Sequence, residues 1–519
     1  MAQQSQSGVR EVFGSRFTFV AAGIGMAVGT GNLWRFPRVV GEFGGGAFLI
    51  ALVVANLIWA IPILMSESLM GSRSQRGTVG AFRDFMGRRF AWMGGYMGFI
   101  TVGILFYYSV VCGWAIRYFV YAITGRFDSG ADTAGIWDDF TTTPWQTILF
   151  HAIAIGLVGL IVYRGLKRGF EIILKYTIPV LFVILVILAV RAMTLDGAAD
   201  GMRYLFVPEW SLLGDAEVWL QAFTQMAFST GAGWGLYLTY SVYMRRREDF
   251  ALNAATICSG NLLASLLAGV AVMATIFALR TPEFAAEAAN SGNSGLAFIY
   301  FAELFGEMPG GTWFFAPLFF LALSLAGLSS LIAMAELATR NVEDMGLPRR
   351  RAVPWVVGVS FVAGIPSAIS VDFLNNQDFV WGVGLLISGL LAAVAMMKFG
   401  VERARAELDD SSDIRVGAWW PTLIRLFPVM FVALFGWWIY RTVDVLAPDT
   451  WWNPFEPFSL MTLLVQWVAL FVVMYALNGF LSRRVEPGPM TPEVGPGAGG
   501  GGPPGDQPAG GSGATRRGE

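Results

Sequence analysis

The sequence predicts an all-α polytopic membrane protein with twelve transmembrane helices. Its 519 residues are 55% hydrophobic and only 14% charged, whereas a soluble domain carries about 25% charged residues. Apolar runs of roughly 18 or more residues, each able to cross about 30 Å of hydrocarbon, recur along the whole chain. The mean hydropathy of +0.57 agrees with this pattern. These observations exclude an ordinary soluble protein.

Hydropathy divides the chain into twelve spans. They are predicted near residues 12–37, 41–69, 90–123, 145–163, 166–191, 217–244, 249–279, 311–342, 352–369, 376–398, 417–441 and 457–481. Alternate connections carry clusters of arginine and lysine, at 73–89, 164–168, 245–247 and 349–351. Because basic residues concentrate on the cytoplasmic side of a membrane, we expect a multi-pass plasma-membrane protein with both termini in the cytoplasm.

Several segments lie outside the spans. Residues 1–11 are expected to form a cytoplasmic N-terminus without a cleaved signal peptide, and residues 192–216 an extracellular loop. Residues 485–519 are rich in glycine and proline, which predicts a disordered cytoplasmic tail. Residues 78–86 are amphipathic, and this pattern fits either a helix along the inner surface or a solvated basic loop.

The sequence lacks the patterns that would indicate an enzyme or a nucleic-acid-binding protein. Cys112, Cys258 and the single histidine, His151, fall within predicted spans, where buried structural roles are expected. Membrane topology accounts for the basic clusters without a nucleic-acid partner. No nucleophile–base pair, metal-ligand cluster or cofactor loop is recognisable. We therefore expect no enzymatic activity.

Glycines interrupt the first and sixth predicted helices. They are Gly23, Gly25, Gly29 and Gly31 in the first helix and Gly231, Gly233 and Gly235 in the sixth. Polar residues flank both groups, namely Thr30, Asn32, Ser229 and Thr230. Glycines can simply permit close helix packing, but interruptions at corresponding places in two halves of a carrier are typical of a midplane binding site. Unwinding there would free backbone carbonyls for a cation and direct helix N-termini at a carboxylate.

Several motifs resemble the signature of the neurotransmitter:sodium symporter family. They are GMAVGTGNLWRFP at 25–37 with Glu42 and GGGAF at 44–48, GLKRGFEIILKYTIP at 165–179, YLFVPEW at 204–210, QMAFSTGAGWG at 225–235, NLLAS at 261–265 and AGLSS at 326–330. The resemblance implies a leucine-transporter-like fold with a 5+5 inverted repeat and unwound helices 1 and 6. The repeats would be residues 12–191 and 217–398, followed by two further helices within 417–481.

The resemblance also implies two sodium sites built from neutral oxygen atoms. The first would use the Ala27 carbonyl, Asn32, Ser229 and Asn261, together with the carboxylate of the substrate. The second would use the carbonyls of Gly25, Val28 and Ala326 and the hydroxyls of Ser329 and Ser330. Neutral dipoles can bind sodium without burying a carboxylate. The alternative is that these polar side chains bond to neighbouring helices or to their own backbone.

A substrate pocket is implied between the two interrupted helices. Its lining would be Ala27, Gly29, Thr30, Gly31, Ile104, Tyr108, Phe228, Ser229, Gly231, Trp234, Ser330 and Met334. The amides around Gly29 and Gly31 and the Tyr108 hydroxyl would meet an amino-acid carboxylate. Monoamine-transporting relatives carry an aspartate at the position of Gly29, where glycine leaves room for that carboxylate. Because the lining is mostly apolar and uncharged, we expect a neutral side chain on the substrate.

An outer gate is implied above this pocket. Arg35 resembles the gate arginine of the family, with Asp378 as its expected partner and Asp372 as the alternative. Gln225 is expected to hydrogen-bond Arg35. Phe228 and Tyr108 would form an aromatic lid.

An inner gate is implied at the opposite end. Arg10 and Asp344 match the family's cytoplasmic gate pair, with Tyr243 nearby. Gly169 and Pro179 match a fifth-helix motif whose local unwinding is associated with release of the inner sodium. In isolation, a mid-helix proline would indicate only a kink.

Observations on chloride favour opposite conclusions. Ser265, with Gln225, Ser229 and Asn261, matches relatives that need chloride. Leu52, however, stands where the family's chloride-ligating tyrosine lies. A chloride ion is therefore a possible cofactor beside sodium.

The expected function is sodium-coupled import of a small neutral, hydrophobic amino acid by alternating access. The partners would be the amino acid, sodium ions and membrane lipid, and the protein would be a monomer or a dimer. Two alternatives stay open. One is a related inverted-repeat carrier for another small zwitterion or amine, and the other is a sensor or channel that keeps the fold without transport.

Overall fold

The computed structural model describes residues 11–245, 248–279 and 295–490, and throughout these residues the chain is α-helical without a β-strand. One isolated antiparallel bridge joins Gly45 to Pro208. Arg10, predicted for the inner gate, lies outside the described residues, as does the predicted tail from residue 491 onward. The predicted all-α class is confirmed.

The helices follow the predicted spans with shorter helices in the connections. In chain order they are α1 (Arg16–Ala27), α2 (Phe36–Glu42), α3 (Gly46–Ala55), α4 (Ile61–Ser74), α5 (Thr78–Met86), α6 (Ala91–Ile123), α7 (Thr133–Thr141), α8 (Pro144–Tyr163), α9 (Glu171–Met193), α10 (Ala198–Phe206), α11 (Ala216–Ser229), α12 (Leu236–Ser241), α13 (Phe250–Leu279), α14 (Phe301–Glu307), α15 (Ala316–Asp344), α16 (Arg349–Ile369), α17 (Val371–Phe399), α18 (Val401–Asp410), α19 (Trp419–Arg441), α20 (Leu460–Ala476) and α21 (Asn478–Arg484). Single π-helical turns precede α2, α4, α9, α14 and α15 and follow α19.

The first span is broken between α1 and α2. Helix α1 ends at Ala27, where Val28 is extended (φ −77°, ψ 101°), and the two halves are bent by 52°. In an uninterrupted helix the Gly29 N–H would donate to the carbonyl of Gly25. Here it donates to Asn32 Oδ1 at 2.9 Å. The carbonyl of Gly25 is thereby released from its helical partner.

The sixth span is broken between α11 and α12. Residues 230–235 separate the two helices, and Gly231, Gly233 and Gly235 adopt positive φ angles of 72°, 91° and 76°. Only glycine adopts this backbone region without strain. The glycine cluster is therefore required by the backbone conformation of the break and does not merely permit close helix packing. The predicted interruption of helices 1 and 6 is confirmed.

The number of membrane spans depends on how the broken helices are counted. Among the described residues nine helices are long and apolar enough to cross a membrane, or eleven if each of two bent pairs counts as one span. The predicted span at 217–244 fails this test because α11 and α12 are short and separated. The exact number of twelve is therefore not confirmed, because the predicted break in the sixth span divides it into two short helices.

The most buried helices lie at the centre of the molecule. The apolar windows of α6, α15 and α17 are each 78% buried, whereas that of α19 is only 17% buried. Helix α6 packs against α8, α15 and α17, and α1 packs against α9, α13 and α15. This arrangement places the broken first helix beside the two central helices that carry Tyr108 and Ser329. The outer helices present apolar side chains such as Val432, which is 66% exposed, as lipid contact requires.

Two predicted peripheral segments are ordered against the protein. Residues 78–86 form α5, which is almost entirely buried, so the helical alternative is correct and the solvated loop is wrong. The predicted tail starts at Val485, but this residue is 1% exposed and its carbonyl accepts a hydrogen bond from Arg83. The first six residues of that tail therefore lie against α5 because Arg83 and Asp84 supply partners for their backbone.

Candidate functional site

A wide cavity enters the molecule where α2 ends and α17 begins. It has a volume of about 770 Å³. Its walls carry both charges of the predicted outer gate, Arg35 and Asp378. Its floor reaches Gly31, Tyr108 and Phe228 between the broken helices. We call this cavity the vestibule.

A second, small cavity lies beneath the vestibule. Its lining is Met26, Ala27, Gly29, Gly31, Tyr108, Phe228, Ser229, Gly231, Trp234, Leu236, Ser330 and Met334, and none of these side chains is charged. Its volume of about 20 Å³ is that of a single water molecule. Gly31, Tyr108 and Phe228 line both cavities and so form the partition between them. A molecule larger than water would enter the small cavity only if the side chains of Tyr108 and Phe228 moved apart.

Most of the predicted pocket residues meet at this small cavity, but two do not. Thr30 lines the vestibule instead, although its N–H donates to the Tyr108 hydroxyl at 3.0 Å. Ile104 is fully buried and lines neither cavity. Trp234 lies edge-on to Phe228, with ring centroids 5.7 Å apart, and its indole N–H donates to the carbonyl of Ala227 at 3.2 Å.

Oxygen atoms converge beside the cavity at the predicted first sodium site. The Asn261 amide oxygen lies 3.1 Å from the carbonyl oxygens of both Ala27 and Ser229 and 3.2 Å from Ser229 Oγ. Only Asn32 Nδ2, at 2.9 Å, donates to the Asn261 oxygen from the first helix. With the Asn261 amide turned over, its nitrogen would instead donate to both carbonyls. In either orientation the Asn261 side chain lies against the carbonyls of Ala27 and Ser229, which are oxygen atoms of the kind that bind a cation.

The residues predicted for the second sodium site also lie together. Ser329 Oγ lies 3.3 Å from the Val28 carbonyl and 2.8 Å from that of Ala326. Ser330 Oγ donates to the carbonyl of Met26 at 3.1 Å. Together with the released carbonyl of Gly25, these atoms join the end of α1 to α15. The arrangement can offer a cation neutral oxygens from two helices.

The outer-gate residues face the vestibule without forming an ion pair. The Arg35 guanidinium lies over the Phe228 ring, 5.1 Å from its centroid, while Asp378 Oδ1 accepts from the Tyr107 hydroxyl at 2.8 Å. Asp372 is exposed in the first turn of α17 and does not line the vestibule. The geometry therefore favours Asp378 over Asp372 as the partner of Arg35.

Gln225 differs from its predicted contact with Arg35. Its Nε2 donates to the carbonyl of Gly31 at 3.1 Å, and its Oε1 is buried without a partner within the described residues. The expectation of a Gln225–Arg35 hydrogen bond is wrong for this conformation, because the break in the first helix leaves the Gly31 carbonyl closer. Gln225 thus braces the two broken helices against each other.

The predicted chloride residues are only partly connected. Ser265 Oγ accepts from Asn32 Nδ2 at 2.8 Å, and Ser229 and Asn261 bond to each other. Leu52 is fully buried and apolar. Ser265 and Asn261 are linked through the Asn32 amide nitrogen, whereas Gln225 bonds to Gly31 instead.

The end opposite the vestibule is closed by a charged network. Asp344 accepts from the Gly77 N–H at 2.6 Å and pairs with Arg340 at 3.2 Å and Arg76 at 3.5 Å. Tyr243 does not touch Asp344; its hydroxyl donates to Glu336 at 2.6 Å. Arg340 lies between the two, over the Tyr243 ring.

Sequence reasoning missed the pair Glu336–Arg349 within this network. Glu336 is fully buried, and Arg349 Nη1 donates to it at 3.1 Å. Arg349 also donates to the carbonyl of Val162 at the end of α8, at 2.8 Å. A carboxylate within an apolar predicted helix was the available signal, since ionisable groups inside a membrane are rarely without function.

Glu67 is a second residue that sequence reasoning missed. It lies on α4 with no exposed surface. Its carboxylate accepts from three backbone N–H groups at the sixth-helix break, those of Gly233 at 2.7 Å, Gly235 at 3.2 Å and Leu238 at 3.1 Å. An unwound segment inside a membrane needs such partners, and Glu67 supplies them.

Comparison with known proteins agrees with this geometry. The model of the sodium:neurotransmitter symporter family matches residues 10–134 and 133–482. An uncharacterised sodium-dependent transporter of Methanocaldococcus jannaschii is 30% identical over 442 residues, 82% of this chain and 89% of that protein. An uncharacterised sodium-dependent transporter of Bacillus subtilis is 28% identical over 441 residues, covering 81% of this chain and 96% of its own length.

A solved structure shares the fold. The crystal structure of MhsT in complex with L-phenylalanine matches with a TM-score of 0.73 and 28% identity, covering 82% of this chain and 99% of that one. The matches span both broken helices and the central helices that pack beside them. The chain therefore belongs to the sodium:neurotransmitter symporter family and is a sodium-dependent, multi-pass membrane transporter.

Proposed function

We propose that the protein is a sodium-coupled symporter that imports a small neutral, hydrophobic amino acid by alternating access. One observation supports this most directly. An uncharged, mostly apolar cavity lies between the two helix breaks, directly under a wide vestibule and beside converging backbone oxygens. A charged side chain would lose its hydration there without a partner. MhsT, which was solved with L-phenylalanine, is consistent with an apolar substrate.

The zwitterionic end of the substrate has complementary groups at the first break. Its carboxylate would lie near the amides of Gly29 and Gly31 and the Tyr108 hydroxyl, where helix N-termini favour negative charge. The same carboxylate would complete the first sodium site beside Asn261 and Ser229. Binding of ion and substrate would thus be mutually favourable, because each neutralises the other.

The conformation corresponds to the outward-facing end of the cycle. The vestibule is open to the partition formed by Phe228 and Tyr108, whereas Asp344 and Glu336 are paired at the opposite end. Arg76, Arg164 and Arg349 of the basic clusters lie at that closed end, which the positive-inside rule assigns to the cytoplasm of a plasma-membrane protein. Two sodium ions moving inward would gain about 4–5 kcal/mol at 100 mV, enough for roughly a thousandfold accumulation.

Replacing external sodium with choline at constant pH is expected to abolish uptake. Proteoliposomes loaded with potassium would be tested against all twenty radiolabelled amino acids, first at a sodium gradient and then without it. Uptake of neutral, apolar amino acids should depend on sodium. Uptake that persists in choline would contradict sodium coupling, and sodium-dependent binding without accumulation would contradict transport.

Gly29→Ala is expected to weaken substrate binding by about 10- to 100-fold. A Cβ atom at this position would lie 2.7 Å from both Ser330 Oγ and the Tyr108 hydroxyl oxygen, and overpacking of this kind costs about 1–3 kcal/mol. Equilibrium binding of the substrate found in the screen measures the effect. Gly436→Ala, where a Cβ meets nothing within 4 Å, is the matched control. Equal affinities in both variants would contradict the assignment of the pocket.

A further inference from the structure

The starts of α1 and α9 are each held by a carboxylate from the other helix's segment. Glu171, in the first turn of α9, accepts from the Gly14 N–H at 2.7 Å and from the Thr18 hydroxyl at 2.8 Å. Glu11, ahead of α1, accepts from the Leu166 N–H at 3.2 Å, at the start of the π turn that leads into α9. We call these five residues the reciprocal clasp.

The Glu171 half of the clasp is the stronger. Glu171 is 6% exposed, and hydrogen bonds from backbone N–H groups to a carboxylate are stronger than those between neutral groups. Lys167 lies 3.3 Å from its second oxygen, but the lysine side chain is 45% exposed, so this ion pair adds little. Glu11 is exposed and forms the weaker half.

The clasp lies at a break in the fifth predicted span, in the π-helical turn just before α9. Gly169, between Leu166 and Glu171, has non-helical angles (φ −115°, ψ −107°). A Cβ at Gly169 would lie 2.2 Å from the Ile161 carbonyl oxygen. The two helix starts are therefore joined across this break by the bonds of Glu11 to Leu166 and of Glu171 to Gly14, beside the ring contact of Phe13 with Phe170.

Near the end of α1, helices α1 and α9 pack in close contact. A Cβ on Gly25 would lie 2.8 Å from Ile178 Cδ1 and 3.2 Å from Leu174 Cδ2. Gly25 is also the residue whose carbonyl the first-helix break releases toward the second sodium site. Helix α1 therefore contacts α9 at two places. Glu171 binds Gly14 ahead of α1, and the side chains of Leu174 and Ile178 pack against Gly25 near its end.

We propose that Glu171 is a positioning residue of the transport cycle and that the reciprocal clasp makes the inner ends of α1 and α9 open together. This inference rests on the proposed alternating-access function. Helix α1 cannot separate from α9 until Gly14 and Thr18 are released from Glu171, and the same movement removes Glu11 from Leu166. Loss of the clasp favours the inward-open state, and sodium, which binds the closed state, then binds with lower apparent affinity.

A cysteine in the inner cavity reports this opening. Val242 is 3% exposed and lines a cavity of about 480 Å³ at the closed end. Val242→Cys would be introduced in a background without Cys112 and Cys258 and reacted with a membrane-impermeant thiol reagent from the inner side. Sodium should protect this cysteine. Glu171→Ala is expected to raise its labelling rate in sodium about tenfold, equivalent to roughly 1.4 kcal/mol, and to raise the sodium concentration for half-protection.

Matched variants separate the clasp from a general loss of structure. Lys175→Ala removes an exposed charge one turn further along α9 and should label as the parent does. Glu171→Gln keeps an oxygen acceptor and should lie between the parent and Glu171→Ala. Glu11→Ala should shift labelling in the same direction, and the double variant should exceed the larger single effect by little, because both residues act on one contact.

The outcomes are distinguishable. A parent that sodium protects, with Glu171→Ala and Glu11→Ala labelling at the parent rate, would overturn the clasp. If Glu171→Ala does not fold, the exposed Glu11 variant decides by the same criterion. A parent that sodium never protects would instead contradict the proposed sodium coupling, whatever the variants do.

Discussion

Asn32→Ala is expected to abolish sodium-dependent substrate binding, weakening apparent sodium affinity by at least about 100-fold, or roughly 2.7 kcal/mol. Asn32 is fully buried. Its amide accepts from the Gly29 N–H at 2.9 Å and donates to Asn261 at 2.9 Å and to Ser265 at 2.8 Å. The truncation removes a proposed ligand of the first sodium ion. It also releases the Gly29 amide and the Asn261 side chain that the asparagine orients.

Sodium titrations of substrate binding to the purified variant measure this effect. Asn56→Ala is the matched control, because Asn56 is also a buried asparagine of a π-helical turn, 5% exposed, with only a long contact of 3.5 Å to the Cys258 carbonyl. It should stay within about threefold of the parent, since one weak hydrogen bond contributes little. Unchanged sodium affinity in Asn32→Ala would contradict the first sodium site.

Glu67→Ala is expected to destabilise the folded protein by at least about 3 kcal/mol and to abolish substrate binding. The carboxylate satisfies the N–H groups of Gly233, Gly235 and Leu238. Each buried N–H left without a partner costs about 1–3 kcal/mol. The backbone at the sixth-helix break would then no longer be held in one conformation. Trp234 and Gly231 would be displaced from the lining of the small cavity.

Thermal unfolding in detergent and substrate binding give the two readouts. Ser68→Ala, one residue along α4, is the control, since Ser68 is also fully buried but its hydroxyl bonds to its own helix at Met65 O, 2.8 Å. Glu67→Gln retains an acceptor oxygen and should fall between Glu67→Ala and the parent. A Glu67→Ala protein that unfolds at the parent temperature and still binds substrate would show that other contacts hold the break.

The helix breaks illustrate how far local sequence information reaches. Glycines at 231, 233 and 235 indicate an irregular backbone without any knowledge of tertiary contacts, because each glycine can adopt a positive φ angle without strain. The two interruptions could therefore be predicted, whereas the exact path of the backbone, such as the extended Val28 that follows Ala27, could not.

The partners of polar side chains were less predictable. Gln225 was expected to bond Arg35 and bonds Gly31 instead, and Tyr243 was expected near Asp344 and bonds Glu336. Each of these side chains needed some partner inside an apolar environment. Several candidates lie within reach of a long side chain, and a small rotation of one helix selects among them.

By itself the sequence determined the class of protein, the positions of the two helix breaks and the neutral character of the residues around them, since hydropathy and glycine placement act over short stretches of chain. Only the tertiary structure decided that Glu67 holds a backbone segment 166 residues away, that Asp378 and not Asp372 faces Arg35, that Ile104 stands back from the pocket, and that Glu171 binds the Gly14 N–H ahead of α1. These contacts join distant helices, and their geometry depends on how the helices pack together, which no short stretch of chain contains.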